Sequence, residues 1–390
     1  MNEEPHISDL TYMLRPEETR RIAADIESGH THQGPFYLEI HITDCCNADC
    51  YFCNQRWIKT EKQELGLADF KQIISRLVRE GLRAVRFSGS GEPTTHPHIK
   101  EMLDAVSESG LTLTRFDTNG ILLSEDISRR LVKCSLKQLH ISLQAPTPQS
   151  WALVTKHEPS RFGVVLQNIR HFIAVDRDRM TGVYASFIVD EPTFDKLDSM
   201  ISLCRELDIQ YRIHDLNAYT YSRRFIDECL PALKDSLAGL IMPANRHRFR
   251  FSHIPGLKPF TEGPFKWRQI ADKPENLSCF VPWTGALIRA NGNVYMCCAL
   301  SEKKNIMGNV FEQEFMDIWR GSKFKSVREE AKAIFFKNIQ VSAAAGKTGN
   351  QRYLCESYCM GCPVKTGMFS NPVLDTMIQS GSSGGGWINA

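Results

Sequence analysis

The chain has 390 residues, of which 42% are hydrophobic, so it can bury a substantial core and is long enough for more than one domain. Lysine and arginine (47) nearly balance aspartate and glutamate (45), and the net charge of +2 argues against a nucleic-acid partner held by bulk charge. No run of about 18 uncharged apolar residues occurs, and the first residues lack the pattern of a signal peptide. We therefore expect a cytoplasmic protein with no membrane partner.

Strand and helix patterns alternate along the first half of the chain. Residues 37–43 alternate in polarity and are rich in β-branched side chains, which predicts a strand that runs into a cysteine-rich loop. Apolar residues at helical spacing over 70–78 predict a helix, and a second strand at 84–87 completes a βαβ unit. The same reasoning predicts helices near 98–109 and after the N-cap residue Ser124, and strands at 111–117, 138–143, 182–189 and 209–215.

Six strands that alternate with helices predict a parallel sheet or a partial barrel. The active sites of such folds lie at the C-terminal ends of the strands, and the cysteine-rich loop follows the first strand. From about residue 240 the alternation lapses into a segment rich in proline and glycine, residues 253–274, where we place a domain boundary.

The 13 cysteines are the most informative feature of the composition. In a reducing cytoplasm they would not persist as structural disulfides, so most of them are expected to bind metal. Three isolated cysteines lie in apolar or helical surroundings and are predicted to be small buried hydrophobic residues: Cys134, Cys204 and Cys229.

A Cys-x3-Cys-x2-Cys motif, formed by Cys46, Cys50 and Cys53, lies in the loop after the first predicted strand. Three thiolates can hold three irons of a [4Fe–4S] cluster and leave the fourth iron open to a substrate or cofactor. The alternative is a structural zinc site, or an ordinary cluster with Cys45 as the fourth ligand. Adjacent cysteines do not easily reach one cluster together, which argues against a role for Cys45.

This motif resembles the signature of the radical S-adenosylmethionine (SAM) superfamily. There the same spacing follows the first barrel strand, and an aromatic residue, here Phe52, precedes the third cysteine, which implies that Phe52 contributes to SAM binding. The resemblance implies a [4Fe–4S] cluster whose open iron binds the amino and carboxylate groups of SAM. It also implies that one electron from the cluster cleaves SAM, and that the 5′-deoxyadenosyl radical abstracts a substrate hydrogen. The implied partner is an external electron donor of the flavodoxin or ferredoxin type.

A glycine-rich segment, Gly89-Ser90-Gly91-Glu92-Pro93, follows the second predicted strand. Glycines let the backbone approach a ligand closely. The segment resembles the Gly-Gly-Glu-Pro loop with which the superfamily holds the SAM amino group, except that Ser90 replaces the second glycine. The resemblance therefore implies that Gly89, Ser90, Gly91 and Glu92 contribute to SAM binding.

Two further strand ends carry residues that resemble SAM contacts of the superfamily. Asn119 lies in a Thr-Asn-Gly segment that is frequent there, and Ser142 matches a serine often found near the SAM carboxylate or ribose. The alternative is turn and capping chemistry, since Asn-Gly is a favoured turn pair and serine caps helices. Many relatives carry an aspartate two residues after that serine, where this chain has Gln144.

A second group of cysteines lies in the C-terminal part of the chain. Cys279 and Cys297 flank an Asn-Gly turn that predicts a β-hairpin. The remaining motif, Cys-x3-Cys-x2-Cys, is formed by Cys355, Cys359 and Cys362.

This group resembles the SPASM domain, or the shorter twitch extension, of radical SAM enzymes, and it implies at least one auxiliary [4Fe–4S] cluster. Four ligands per cluster, and only six cysteines from Cys279 onwards, favour a single auxiliary cluster. The twitch arrangement favours Cys279, Cys297, Cys359 and Cys362 as ligands, with Cys355 able to replace either of the last two. Zinc bound by the same thiolates is the alternative.

Together these features predict an α/β protein: a partial (β/α)6 barrel of the radical SAM type with a small C-terminal SPASM or twitch iron–sulfur domain. The last residues before Trp387 are rich in glycine and serine and are predicted to be flexible. The predicted divisions are an N-terminal extension (1–35), the radical SAM barrel (36–250), a linker (251–275), the auxiliary-cluster domain (276–366) and a tail (367–390).

Three function classes follow from this pattern. The first is crosslinking (including cyclophane formation), oxidation or epimerisation of a ribosomally made peptide. The SPASM resemblance supports it, as does the tail sequence Trp387-Ile388-Asn389, which resembles motifs that peptide-cyclising relatives crosslink. Residues 1–35 are too few for the leader-binding module of many peptide maturases, which weakens this class.

The second class is dehydrogenation or epimerisation of a sugar or aminocyclitol, which relatives with one auxiliary cluster perform. The third is an iron–sulfur scaffold that binds nucleic acid through the basic and aromatic segment 245–251. The glycine-rich segment argues against the third class, because a scaffold has no need to position SAM.

Overall fold

The structure is a computed structural model that describes residues 15–53, 62–189, 193–215, 281–297, 305–329 and 331–332. No helix among them is long and apolar enough to cross a lipid bilayer.

One sheet organises the described part of the chain. Its strands are β1 (Tyr37–Ile40), β2 (Ala84–Phe87), β3 (Thr112–Thr118), β4 (Gln138–Ile141), β5 (Gly182–Val189), β6 (Gln210–Asp215), β7 (Gly285–Ile288), β8 (Asn293–Tyr295) and β9 (Gly308–Asn309). Across the sheet the order is β6-β5-β4-β3-β2-β1-β7-β8-β9. Strands β1 to β6 are parallel neighbours, which confirms the predicted parallel sheet.

Helices connect the parallel strands, as the alternation predicted. Helix α4 begins after Ser124, whose hydroxyl accepts a 3.3 Å hydrogen bond from the Ile127 N–H. Short 3-10 helices lie at Pro93–Thr95 and Phe194–Lys196. The α-helices are α1 (Pro16–Ser28), α2 (Leu67–Arg79), α3 (Ile99–Glu108), α4 (Glu125–Lys133), α5 (Pro148–Thr155), α6 (Arg161–Val175), α7 (Leu197–Glu206), α8 (Val281–Thr284) and α9 (Phe315–Arg320).

The first strand is shorter than predicted. It ends at Ile40, because the residues that follow pair with two other segments of the chain. The His41 N–H donates to the Ile288 carbonyl (2.9 Å), and Thr43 forms an isolated bridge with Glu64. These contacts hold both sides of the backbone that leads into the cysteine-rich loop.

The two faces of the sheet differ in polarity. Successive strand residues point to opposite faces, and the helix-facing side is a fully buried apolar layer that includes Leu38, Ile40, Val85, Phe87 and Phe116. The opposite side, called the polar face below, carries ionisable, hydroxyl and amide groups. Its members include Glu39, His41, Arg86, Ser88, Arg115, Asp117, Gln138, His140 and Tyr184.

The C-terminal described segment joins the same sheet. Strand β7 pairs in parallel with β1 along its whole length, and β7 and β8 form the predicted hairpin, whose turn contains Gly292 with φ 80°. The buried Trp319 of α9 donates its indole N–H to the Gln33 carbonyl (2.9 Å). The domain boundaries given above stay a prediction, since residues 216–280 lie outside the described ranges.

Candidate functional site

The cysteine loop, residues 44–53, leaves the C-terminal end of β1 and contains the three predicted cluster ligands. Cys46, Cys50 and Cys53 are half-buried and form no disulfide. The Ala48 N–H lies 3.4 Å from Cys46 Sγ, and a donor at that position favours the thiolate form that binds iron. The Cys53 N–H donates to the Cys50 carbonyl (3.1 Å), so the second half of the loop is a tight turn.

Helix α5 anchors the cysteine loop. The Asp49 N–H donates to the Thr155 carbonyl (3.1 Å), and the Tyr51 N–H donates to the Val154 carbonyl (3.2 Å). Both carbonyls belong to the C-terminal end of the helix, where backbone acceptors lack intrahelical partners. Phe52, predicted to lie near SAM, packs edge-on against Tyr51 with ring centroids 5.5 Å apart.

The glycine loop, residues 89–93, packs directly on the backbone of the cysteine loop. The Gly91 N–H donates to the Thr43 carbonyl (3.1 Å), and the Glu92 N–H donates to the Cys45 carbonyl (2.7 Å). A Cβ atom on Gly91 would lie 2.1 Å from the Cys45 carbonyl oxygen, so only glycine fits there. This close approach is therefore to the chain itself, whereas the sequence suggested a close approach to a ligand.

The Glu92 carboxylate joins the glycine loop to the end of β3. It is 3% exposed and accepts four hydrogen bonds: from the Thr94 N–H (3.1 Å) and hydroxyl (2.6 Å), the Thr118 hydroxyl (2.7 Å) and the Asn119 N–H (2.6 Å). Burial raises the pKa of Glu92 above its usual value, while these donors favour the ionised form. Both of its oxygens are engaged within the protein, so the carboxylate links the glycine loop to the end of β3.

Asn119 and Ser142 extend the site across the next two strands. The Asn119 side-chain amide donates to the Asn47 side chain (2.6 Å), and its oxygen accepts from the Ile121 N–H (3.0 Å). Asn119 thus ties the end of β3 to the cysteine loop and also forms the turn that the alternative interpretation predicted. The Ser142 N–H donates to the Thr118 carbonyl (2.8 Å), which places its half-buried side chain at the same edge of the sheet.

Gln144 is an unusual residue beside this edge. Its φ of 64° is rare for a residue other than glycine, and its N–H donates to the Ser186 carbonyl (2.8 Å). The side chain is 5% exposed, and its Oε1 has no hydrogen-bond partner among the described residues. A buried acceptor without a partner is costly unless a ligand supplies the donor.

A hydrogen-bonded cluster on the polar face lies behind the glycine loop, and sequence analysis did not identify it. Glu39 accepts from the Ser88 hydroxyl (2.6 Å) and lies 3.2 Å from His41 Nε2. Ser90 Oγ lies 3.2 Å from His41 Nδ1. Burial alone would raise the pKa of Glu39, but Arg86 and the hydrogen bonds from His41 and Ser88 lower it well below its usual range.

A second cluster on the polar face is centred on Asp117. Its carboxylate binds the Arg86 Nε (3.1 Å) and the Arg115 Nε (2.8 Å). Burial alone would raise the pKa of Asp117, but Arg115 and Arg86 lower it. His140 Nδ1 lies 4.0 Å from Asp117, and its Nε2 lies 3.0 Å from the Gln138 side-chain oxygen. The feature of the sequence that could have revealed this cluster is the alternation of charged and apolar residues within β2 and β3.

The described residues include part of the second cysteine group. Cys297 follows β8, is half-buried and forms no disulfide. Cys134 and Cys204 are buried in the core, as predicted. The other cysteines of the C-terminal group, together with Cys229 and Trp387-Ile388-Asn389, lie outside the described residues: Cys279, Cys298, Cys355, Cys359 and Cys362.

Strand register places Cys297 away from the cysteine loop. Tyr295, two residues before Cys297, pairs with Leu287, and Leu287 pairs with Glu39. Because β8 runs antiparallel to β1, the chain at Cys297 lies toward the N-terminal end of β1, whereas the cysteine loop lies at its C-terminal end. Along the direction of the strands, the polar face lies between Cys297 and the cysteine loop.

The residues at the C-terminal edge fit a cluster and a cofactor. Three cysteines lie on one short loop, and the sulfur of Cys46 accepts a hydrogen bond from a backbone N–H. The buried side-chain oxygen of Gln144 has no hydrogen-bond donor among the described residues, so a ligand could supply one. Among the described residues, no three metal-binding side chains converge to the spacing of one bound ion. The thiolates around a four-iron cluster lie farther apart than the ligands of a single ion, because each thiolate binds a different iron.

Comparison with known proteins identifies two families along the chain. The radical SAM superfamily matches residues 40–204, and the SPASM family, an iron–sulfur cluster-binding domain, matches residues 279–363. A GTP 3′,8-cyclase of Chlorobaculum tepidum is 27% identical over 184 residues, which cover 47% of this chain and 54% of the cyclase. The chain thus spans about half the length of that curated relative.

A longer match is to a protein of Pyrococcus furiosus named a tungsten-containing aldehyde ferredoxin oxidoreductase cofactor-modifying protein. It is 21% identical over 309 residues, which cover 74% of this chain and 82% of that protein.

Solved structures with the same fold include SuiB of Streptococcus suis. SuiB superposes with a TM-score of 0.58 at 19% identity, covering 80% of this chain and 71% of SuiB. SuiB bound to the precursor peptide SuiA gives 0.59 at 18% identity, covering 84% and 75%. The protein anSMEcpe with bound AdoMet gives 0.54 at 14% identity, covering 89% and 100%. At these identities the likeness establishes the fold.

The two family matches also establish the cofactors. A radical SAM domain implies a [4Fe–4S] cluster and SAM, and a SPASM domain implies auxiliary iron–sulfur clusters. Both families cover the segments in which the cysteine motifs lie, at the end of β1 and around the β7–β8 hairpin. This chain belongs to the radical SAM superfamily of enzymes and carries a C-terminal SPASM domain.

Proposed function

We propose that this enzyme modifies a ribosomally made peptide by crosslinking, oxidation or epimerisation. Cys46, Cys50 and Cys53 hold the radical cluster in this proposal, and Glu92 positions the loops around it. The auxiliary cluster is held by Cys279 and Cys297 with two of Cys355, Cys359 and Cys362. The residues proposed to surround SAM are Phe52, Gly89, Ser90, Gly91, Asn119 and Ser142.

When bound, the cluster and SAM supply a 5′-deoxyadenosyl radical that removes a hydrogen atom from the substrate. The chain itself holds the cysteine loop against α5 and orients the glycine loop through Gly91 and Glu92. An electron donor of the flavodoxin or ferredoxin type is the proposed partner, since the cluster must be reduced before each cleavage.

The observation that carries this proposal is the position of the cysteine loop and of Cys297 toward opposite ends of the strands of one sheet, with the polar face between them. A substrate held against the polar face could lose a hydrogen atom at one side and an electron at the other. The SPASM match and the fold shared with SuiB, which was solved with its precursor peptide, support a peptide as that substrate. The tail sequence Trp387-Ile388-Asn389 supplies a candidate target.

The test uses the full-length protein with reconstituted clusters, SAM, dithionite and a synthetic peptide of residues 376–390. We expect peptide-dependent formation of 5′-deoxyadenosine and, for crosslinking or oxidation, a peptide that has lost two hydrogens. The matched control is the same peptide with Trp387→Ala, which should not change in mass. Unchanged mass of both peptides, with the α-carbons still in the L configuration, contradicts the choice of this tail sequence as a target.

The polar face favours a second candidate, dehydrogenation or epimerisation of a sugar or aminocyclitol. Its buried charged and hydroxyl groups match a substrate rich in hydroxyl groups better than an apolar side chain. Stimulation of 5′-deoxyadenosine formation by an aminocyclitol, and not by the peptide, would select this function over the first.

A further inference from the structure

Three buried side chains lead from the polar face into the glycine loop. Ser90 Oγ lies 3.2 Å from His41 Nδ1, and His41 Nε2 lies 3.2 Å from Glu39 Oε1. The exposed fractions of Glu39, His41 and Ser90 are 5%, 6% and 4%. A carboxylate, an imidazole and a hydroxyl in this order form an arrangement that enzymes use to move protons.

Glu39 sets the direction of these hydrogen bonds. With Arg86 beside it, the carboxylate is ionised and only accepts, so His41 Nε2 carries a hydrogen. The lone pair of His41 Nδ1 then faces Ser90, whose hydroxyl donates to it. The Ser90 oxygen keeps its own lone pairs for a hydrogen bond from a ligand.

Ser90 belongs to the loop that packs on the cysteine loop, so it lies close to any ligand that the cysteine loop binds. Its neighbour Gly91 donates to the Thr43 carbonyl, and Glu92 donates to the Cys45 carbonyl next to Cys46. At the other end of these three side chains, Arg86 on β2 holds Glu39 in place, because it bridges Glu39 and Asp117. Arg115 on β3 binds the second carboxylate oxygen of Asp117.

Binding of SAM to iron requires the loss of a proton. The amino group of SAM is an ammonium at neutral pH, since α-amino groups have pKa values near 8. Only the unprotonated amine has a lone pair for a metal. We propose that Ser90, His41 and Glu39 form a relay that accepts this proton when SAM binds.

The step balances without a redox partner. The ammonium N–H bond breaks as its proton moves to Ser90 Oγ, and the hydroxyl proton of Ser90 moves to His41 Nδ1. Glu39 stays ionised and stabilises the imidazolium, which keeps the proton in the protein. The inference rests on the proposed placement of SAM beside the glycine loop and does not depend on the identity of the substrate.

The test counts the protons that SAM binding releases. Full-length protein with reconstituted clusters is titrated anaerobically with SAM at pH 7, by calorimetry in buffers of different ionisation enthalpy. We expect wild type to release close to no protons, and His41→Gln to release about one proton per SAM, because the ammonium then has only the solvent as acceptor. Ser90→Gly, which restores the superfamily residue, should also release about one.

His140→Gln is the matched control, since it removes another buried histidine of the same polar face and should leave the wild-type count unchanged. Equal proton counts for wild type, His41→Gln and Ser90→Gly overturn the relay. If His41→Gln does not fold, Ser90→Gly decides alone, because glycine fits the corresponding position in relatives. Failure of the peptide proposal leaves this test intact, because SAM is its sole ligand.

Discussion

Gly91 is the residue at which the two loops of the site depend most directly on each other. Its backbone N–H reaches the Thr43 carbonyl, and the space for a side chain is filled by the Cys45 carbonyl oxygen. Any larger residue must push the glycine loop away from the cysteine loop. That movement would disturb Ser90 and Glu92 together, because they flank Gly91.

We expect Gly91→Ala to weaken SAM binding at least about fivefold, because accommodating one methyl group against backbone costs about 1–3 kcal/mol and about 1.4 kcal/mol is a factor of ten. Titration of the reconstituted protein with SAM measures the effect. Gly163→Ala is the matched control: the same methyl group would meet open space on the exposed side of α6, and alanine favours helix by up to about 1 kcal/mol. Equal SAM affinities of the two variants would show that the loops do not need this contact.

The candidate site residues were easier to locate from the sequence than their contacts. The cysteine loop and the glycine loop were found because their spacing is specific and both follow predicted strands. The task of Glu92 could not be predicted, since its partners Thr118 and Asn119 lie a full βαβ unit away in sequence. Gly91 resembled a ligand contact, because sequence alone does not show which backbone will lie opposite a glycine.

At the scale of elements, the strands carry two patterns at once. One alternation places Val85 and Phe87 against the helices, and the other places Arg86 and Ser88 on the polar face. The first pattern was sufficient to predict six parallel strands. The second was visible in the same residues, but pairing between charges such as Arg86 and Asp117 depends on strand register, which the sequence does not specify.

The charge cluster on these strands should make the fold sensitive to acid. Because the pKa of Asp117 is lower in the folded protein than its usual value near 4, it stabilises the fold above that value, and this contribution is lost as the pH falls toward the folded pKa. We expect Asp117→Asn to lower the free energy of unfolding by about 2 kcal/mol at pH 7, since the partly buried guanidinium groups of Arg86 and Arg115 lose their shared counter-charge. The difference from wild type should shrink below about pH 4.

Urea unfolding of wild type and Asp117→Asn at pH 7 and at about pH 3.5 measures both expectations. The control is Asp104→Asn, which removes the partner of Arg130 on the helix side of the fold, where the side chain is 31% exposed and the cost should stay below about 1 kcal/mol. A similar loss for the two variants, or a loss for Asp117→Asn that is independent of pH, would contradict the assignment of Asp117 as the counter-charge shared by Arg86 and Arg115.

At the scale of the whole molecule, one sheet connects the cysteine loop with the described part of the second cysteine group, Cys297. The sequence predicted the β7–β8 hairpin but not that β7 would lie beside β1, because these strands are about 245 residues apart and a hairpin also suits a separate domain. The pairing fixes the cysteine loop and Cys297 on a common scaffold. The clusters at the two ends should therefore be separable by mutation without loss of the sheet.

Iron analysis of the reconstituted protein tests this separation. With one radical and one auxiliary [4Fe–4S] cluster, wild type should contain about eight irons, and Cys46→Ala/Cys50→Ala/Cys53→Ala about four with no 5′-deoxyadenosine from SAM. Cys279→Ala/Cys297→Ala should also fall to about four, but it should still cleave SAM, because its cysteine loop is intact. About twelve irons in wild type would mean a second auxiliary cluster. Loss of cleavage in both variants would mean that the two ends of the sheet do not hold their clusters independently.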